Sequence, residues 1–295
     1  MNQIKPEDYV TLTYKVDDYL LEAFELINNE NNSYNLIVDL GFGDGRVTRM
    51  LSKHVQHKQV VAIDVVPEML THAKANNADD TTIEYVLQDM TVSWLELSPR
   101  IRQLESKVDL LFSSFMLHFI PDKCQVMDIL SKLLTSGGLF YANIVITADL
   151  NRKLVDNNNS RVDKQLQQQL WYPSIDKQMN NWKQSLIVNG FVIKQFNLFA
   201  KNYLMTRKQI IDFMPVIVGD FSINFKDRKQ FNEEKAEHLW DTVFDAHFSP
   251  PSDAMEGTAS VANPNAWKQF LADNTITELR YYYHTLRVIA YNSKQ

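Results

Sequence analysis

IVDLGFGDGRVTRML, residues 37–51, decides the fold. An apolar run closes on an acid, glycines follow at 41, 43 and 45, and the next residues take on helical character. A strand, a bare loop and a helix in that order leave naked backbone at the carboxyl end of a strand, where open α/β sheets take their ligands. Three alternating glycines raise the question of what lies so close that side chains are forbidden there.

The sequence around this stretch repeats the alternation. Strands are expected over 36–40, 59–64, 83–88, 108–114 and 139–147, and helices over 15–29, 45–56 and 121–134. A further helix opens at Pro67, a residue suited to the first turn. A polar helix or loop surrounds Trp94, and Gly137-Gly138 reads as the turn into the fifth strand. Short β-branched runs separated by helices predict a parallel sheet covered on both faces, a Rossmann-like, doubly wound α/β fold.

After residue 148 the pattern turns polar and helical, through Gln165 to Gln169 and a helix near 175–189 that stops at Gly190. FVIKQFNLFA (191–200) and HTLRVIAY (284–291) read as late strands, with an antiparallel strand among them. Between them come amphipathic stretches at roughly 207–218 and 228–247, a Pro- and Ser-containing loop over 249–265, and a helix around Trp267 to Leu271. The expected organisation is a core of residues 1–205 and 280–295 carrying a helical lid over 206–279.

With 295 residues, 45% of them hydrophobic, the chain is long enough to bury a full core. Its net charge of −6 and scattered basic residues leave no electrostatic footprint for nucleic acid. Cys124 is the only cysteine, so the chain forms no internal disulfide and no cysteine metal cluster, which fits a reducing compartment. MNQIKPEDYV lacks the pattern of a signal peptide, and Val108 to Ile120 is too short and polar to span a bilayer. The expectation is a cytosolic protein.

Glycine spacing discriminates between ligands. A dinucleotide-binding loop places its third glycine three residues after the second, where this chain has Arg46. That spacing disfavours a nicotinamide-dependent oxidoreductase. Here Asp39 precedes Gly41, Gly43 and Gly45, Asp64 ends the second strand, and Gln88-Asp89 ends the third. A carboxylate at the second strand end suits both hydroxyls of a ribose. Asp39 suits an ammonium or the loop's own amides, and Asp89 lies where an adenine amino group would fall. Each acid also fits a simpler role, capping the helix that follows. Taken together they describe S-adenosylmethionine, with Val65, Met90 and Ser114 flanking the same strand ends.

These residues carry a resemblance. DLGFGDG (39–45), VVAIDVVPEML (60–70), VLQDM (86–90), VDLLFSSFMLHFI (108–120) and LLTSGGLF (133–140) resemble the class I S-adenosylmethionine-dependent methyltransferases. More narrowly, the glycine loop, the FSSFMLHF segment and Gly190-Phe191 resemble the arthropod juvenile hormone acid methyltransferases. That resemblance implies methyl transfer to the carboxylate of a long apolar isoprenoid acid, which needs alignment and exclusion of water more than a base.

The acceptor side departs from that family, whose grip uses an N-terminal glutamine and a tryptophan after the histidine of its LHW motif. Here Phe119 replaces the tryptophan and YVTLTYKVDD has no glutamine, leaving Tyr9 or Tyr14 to supply a hydroxyl. His118 follows the fourth strand, where it can bond an acceptor oxygen, take a proton, or simply brace its loop. Ser113 and Ser114 read as backbone-positioning residues because no nucleophile-elbow sequence surrounds them. Phe213, Met214, Phe221, Trp240, Phe244 and Phe248 supply apolar surface for an acceptor pocket or for a small core within the lid. His54 and His57 are spaced for one helix face but lack further ligands, so no metal is expected. The expected partner is a small apolar acceptor. The rival reading is a methyltransferase-like protein that binds a lipid or protein partner without catalysis.

Overall fold

The structure, a computed structural model, describes residues 17–146, 174–214, 244, 248–249 and 266–294. Helix α1 (Asp17–Glu30) places Leu20, Ala23, Phe24 and Ile27 on one stripe, and all four are buried. They pack with Ile37, Leu110, Phe112, Tyr141 and Ile289 in one apolar cluster. Leu20, Phe24 and Ile27 each contribute roughly 1.5–3 kcal/mol on burial, so docking and not intrinsic propensity holds this helix.

Strand β1 (Tyr34–Leu40) buries Ile37 through Leu40 consecutively, as a central strand covered on both faces must. It pairs in parallel with β2 (His57–Asp64), matching Ile37 with Val60, and with β4 (Val108–Ser114), matching Asp39 with Phe112. β3 (Ile83–Leu87) adds parallel to β2, and β5 (Leu134–Ile146) parallel to β4. With β6 (Phe191–Thr206) and β8 (Glu278–Asn292), the order across the sheet is β3-β2-β1-β4-β5-β8-β6. The short β7 (Phe248–Ser249) pairs antiparallel to β8, so the sheet is mixed. The chain winds from β1 outward to β3 and returns to β4 on the other side of β1. The switch point lies at the carboxyl ends of β1 and β4, the place where open α/β sheets take their ligands.

The connections are helical: α2 (Arg46–His54), α3 (Pro67–Asn76), the single turn α4 (Pro99–Arg102), α5 (Lys123–Leu133) and α6 (Ile175–Val188). Residues 207–214 are helical too, and α7 spans Ala266–Ala272. The sequence expectation for 228–247 lies outside the described residues apart from position 244. One expectation is refined. Gly137-Gly138 lies within β5, where the register jumps from Val108↔Leu134 to Leu110↔Leu139 and Gly137 takes φ +75°. The glycines therefore make an irregularity inside a strand that has already begun. β6 and β8 also run beyond 191–200 and 284–291.

Among the described residues the chain forms two compact units. One comprises 17–145, 180–198 and 286–294, and the other 146, 174–179, 199–214, 244, 248–249 and 266–285. Strands β6 and β8 contribute to both. The second unit has an aromatic centre in which Tyr281 contacts Tyr203, Phe213, Phe248 and Tyr283 at ring separations of 5.2–5.5 Å. Arg207 closes the end of α7, donating to the carbonyls of Phe270, Leu271 and Asp273 while its guanidinium lies 4.5 Å from the Phe270 ring centroid. No helix among the described residues is long and apolar enough to cross a membrane.

Candidate cofactor and acceptor site

The three glycines of the first loop have positive φ, +86° at Gly41, +54° at Gly43 and +84° at Gly45, a conformation that side chains resist. What stands close to two of them is the chain itself. A Cβ at Gly41 would lie 2.3 Å from Cγ of Met116, on the loop after β4. A Cβ at Gly45 would lie 2.7 Å from Nδ2 of Asn77 and 2.8 Å from Cβ of Ala73. Gly45 therefore lets α3 approach, whereas Gly41 brings together the two loops that flank the switch point.

Each strand-end acid is placed differently. Asp39 is 1% exposed and accepts a hydrogen bond from the Thr48 hydroxyl of α2 at 2.6 Å. Burial pushes its carboxyl up to about 7, against the pull of Thr48 and with added repulsion from Asp64. Asp64 accepts from the Gly43 amide on one oxygen, and from the Val65 and Val66 amides on the other. Burial raises its pKa while those three amides lower it. Asp64 thus fixes the glycine loop and the two residues that lead into α3, while α3 itself has no side-chain cap. Asp89 accepts from the amide and hydroxyl of Thr91, and Gln88 accepts from the Ser98 amide. Val65 is exposed and Met90 buried at the same strand ends.

The connection from β4 to α5 concentrates departures from local rules. Phe115 has φ +58°, rare for an aromatic residue. Ser113 donates to the Leu40 carbonyl, tying β4 to β1, whereas the buried hydroxyl of Ser114 has no partner. His118 lies in the 3₁₀ turn Leu117–Phe119 with its ring 4.0 Å from that of Phe119. Its Nδ1 is enclosed and without a partner, so that nitrogen does not brace the loop. Burial, assisted by the charge of Lys123, drives its pKa down to about 3, so the imidazole is neutral at physiological pH. Asp44 caps the Arg46 amide with one oxygen and leaves the other buried and unpaired.

Buried polar atoms of Asp44, Ser114 and His118 are left without a hydrogen-bond partner on the connections that follow β1 and β4, an arrangement that native structures keep rare. Met116 and Lys123 escaped the sequence reading because their contacts with Gly41 and Trp182 are distant along the chain, and Asp44 escaped it although its bond to the Arg46 amide is local. Only the inclusion of Asp44 in the glycine loop pointed to it. Tyr14 and Trp240 lie outside the described residues. Among those residues, no group of three or more His, Cys, Asp or Glu is arranged to hold a metal ion.

Comparison with known proteins agrees with this geometry. Residues 37–138 match the methyltransferase domain family. A malonyl-[acyl-carrier protein] O-methyltransferase from Ilyobacter polytropus is 24% identical over 125 residues, 42% of this chain. The chain spans 43% of the length of that relative. Among solved structures, a protein from Bacillus halodurans assigned as a methyltransferase superposes with TM-score 0.53 at 16% identity, covering 93% of this chain and 99% of that one. Another, from Galdieria sulphuraria and assigned as a sarcosine dimethylglycine methyltransferase, gives 0.50 at 10% identity over 95% and 87%. The match to the methyltransferase domain family is confined to residues 37–138, and the fold over most of the chain is the one these solved structures share.

Proposed function

We propose that the protein transfers a methyl group from S-adenosylmethionine to an oxygen of a small apolar acceptor, the carboxylate of an isoprenoid or fatty acid. The observation that carries this reading is the β1–β4 switch point, where the glycine loop, three strand-end acids and the orphaned Ser114 and His118 lie on neighbouring connections. The O-methyltransferase named among the relatives supports oxygen as the accepting atom.

In this reading the cofactor, when bound, supplies an electrophilic methyl on a sulfonium. Asp64 takes the ribose, Asp89 the base and Asp39 the amino-acid end, along the bare backbone of Gly41, Gly43 and Gly45, with Val65, Met90 and Ser114 at the margins. His118 and Phe119 face the acceptor, with Tyr14 and Trp240 as further contacts. Neutral His118 offers a hydrogen bond without a charge that would pair the acceptor carboxylate. Residues 206–279 act as the lid that excludes water, and a dry site favours a transfer in which both charges disappear.

Titration calorimetry with the cofactor tests the first half. Asp64→Ala removes a charged acceptor worth about 1.5–3 kcal/mol, so affinity should fall roughly ten- to hundredfold. Wild-type affinity in that variant would remove the assignment. Incubation with methyl-labelled cofactor and a panel of isoprenoid and fatty acids tests the second half through release of labelled ester. A non-catalytic binder is the competing reading, favoured by Phe119 in place of tryptophan and by the occupation of both Asp64 oxygens by backbone amides. Such a protein would retain an acid without producing ester.

A further inference from the structure

Lys123 stands where helices disfavour a cation. It is the first residue of α5, whose unpaired amides already present positive charge, and it is half-buried. Among the described residues it makes no ion pair. Its ammonium donates to the Ile120 carbonyl at 3.3 Å and lies 5.1 Å from the centroid of the buried Trp182 ring on α6. The bond to Ile120 reaches back to the residue that ends the His118 turn, where the Ile120 amide donates to the Leu117 carbonyl.

Two sets of charges bear on this pair. Lys123 is the charged neighbour that acts on His118. Burial lowers the pKa of Lys123 itself, and the adjacent Asp122, which caps α5 through the Gln125 amide, partly offsets this. A cation retained against its burial and against the helix end requires a compensating role.

We propose that Lys123 is a positioning residue for His118: its bond to Ile120 pins the turn that carries the imidazole, and its fixed ammonium excludes a second cation from that turn. The proposal rests on the reading of His118 and Phe119 as the residues that face the acceptor. An imidazolium there would form an ion pair with an anionic acceptor and hold it in its ground state. A neutral ring orients the acceptor and leaves its oxygen nucleophilic.

The test is proton–carbon NMR of the histidine rings in the full chain over pH 4–8, with His118 assigned from His118→Gln. Wild-type His118 should remain neutral throughout. In Lys123→Met its midpoint should rise by about one pH unit or more, bringing protonation into the window, while Lys123→Arg should behave as wild type. Should Lys123→Met lack the native near-ultraviolet dichroism, Lys123→Gln serves with the same expectations. Identical His118 behaviour with and without the lysine charge overturns the proposal, as does a wild-type midpoint near the ordinary value of about 6.5. Cofactor calorimetry on wild-type protein is read separately. Its failure would fell the methyltransferase reading and leave the NMR result standing.

Discussion

Gly45 and Gly137 share a left-handed backbone but not its surroundings, since a Cβ at Gly137 meets nothing within 4 Å. Alanine at 137 should cost about 1–2 kcal/mol from φ alone, and alanine at 45 should add about 1–3 kcal/mol of overpacking against Ala73 and Asn77. Urea unfolding of the two variants measures the difference. Asp39 makes a pH-dependent contribution of the opposite sense to an ordinary paired acid. Its folded pKa, about 7, lies above that of the unfolded chain, so between about pH 4 and 7 the folded state holds the extra proton. Stability is lost as pH rises through that window and levels above it, by an amount on the order of a few kcal/mol. Asp39→Asn should fall less than wild type between pH 4 and 7 in cofactor-free denaturation. The strand-end acids could be read from the sequence because acid type and strand register are local. Their partners could not: Thr48 and the Gly43 amide come within reach only once β1, β2 and α2 have assembled.

At the scale of elements, the sequence pattern located β1 to β4 and the helices α1, α2, α3 and α5, whereas the single turn α4 was not expected. It failed where chemistry interrupts the pattern. Gly137-Gly138 masked the start of β5 at Leu134, because paired glycines signal a turn unless neighbouring strands already hold the backbone. The outer halves of β6 and β8 were underestimated because polar and aromatic residues alternate there without a continuous apolar face. Between those halves, α7 is short and depends on Arg207 for its carboxyl-terminal carbonyls. Arg207→Met leaves them without a protein donor and should destabilise this unit by about 1–3 kcal/mol. Hydrogen exchange should then accelerate at residues 266–277 while amides of β1 keep wild-type protection.

In the molecule as a whole, the first described helix and the last strand are tied together. Arg287 of β8 forms a two-pronged ion pair with Glu22 of α1, and Asn292 donates to the carbonyls of Ser131, Leu134 and Thr135. Asn292→Ala leaves buried carbonyls unanswered where β8 ends, and should lower the urea midpoint by an amount equivalent to about 1–3 kcal/mol with the m-value unchanged. The fold class was legible at this scale because alternation of strand and helix constrains topology strongly. The insertion of β8 between β5 and β6 was not, since nothing local in HTLRVIAY specifies its neighbours. That insertion also sets a schedule for biosynthesis. β5 is complete at Ile146, yet the strand that covers its flank begins only at Glu278. At about 5–20 residues per second of translation, a nascent chain carries that bare hydrogen-bonding edge for on the order of ten seconds. Holding chaperones should therefore engage stalled ribosome-bound chains ending between those two points far more than released, full-length protein.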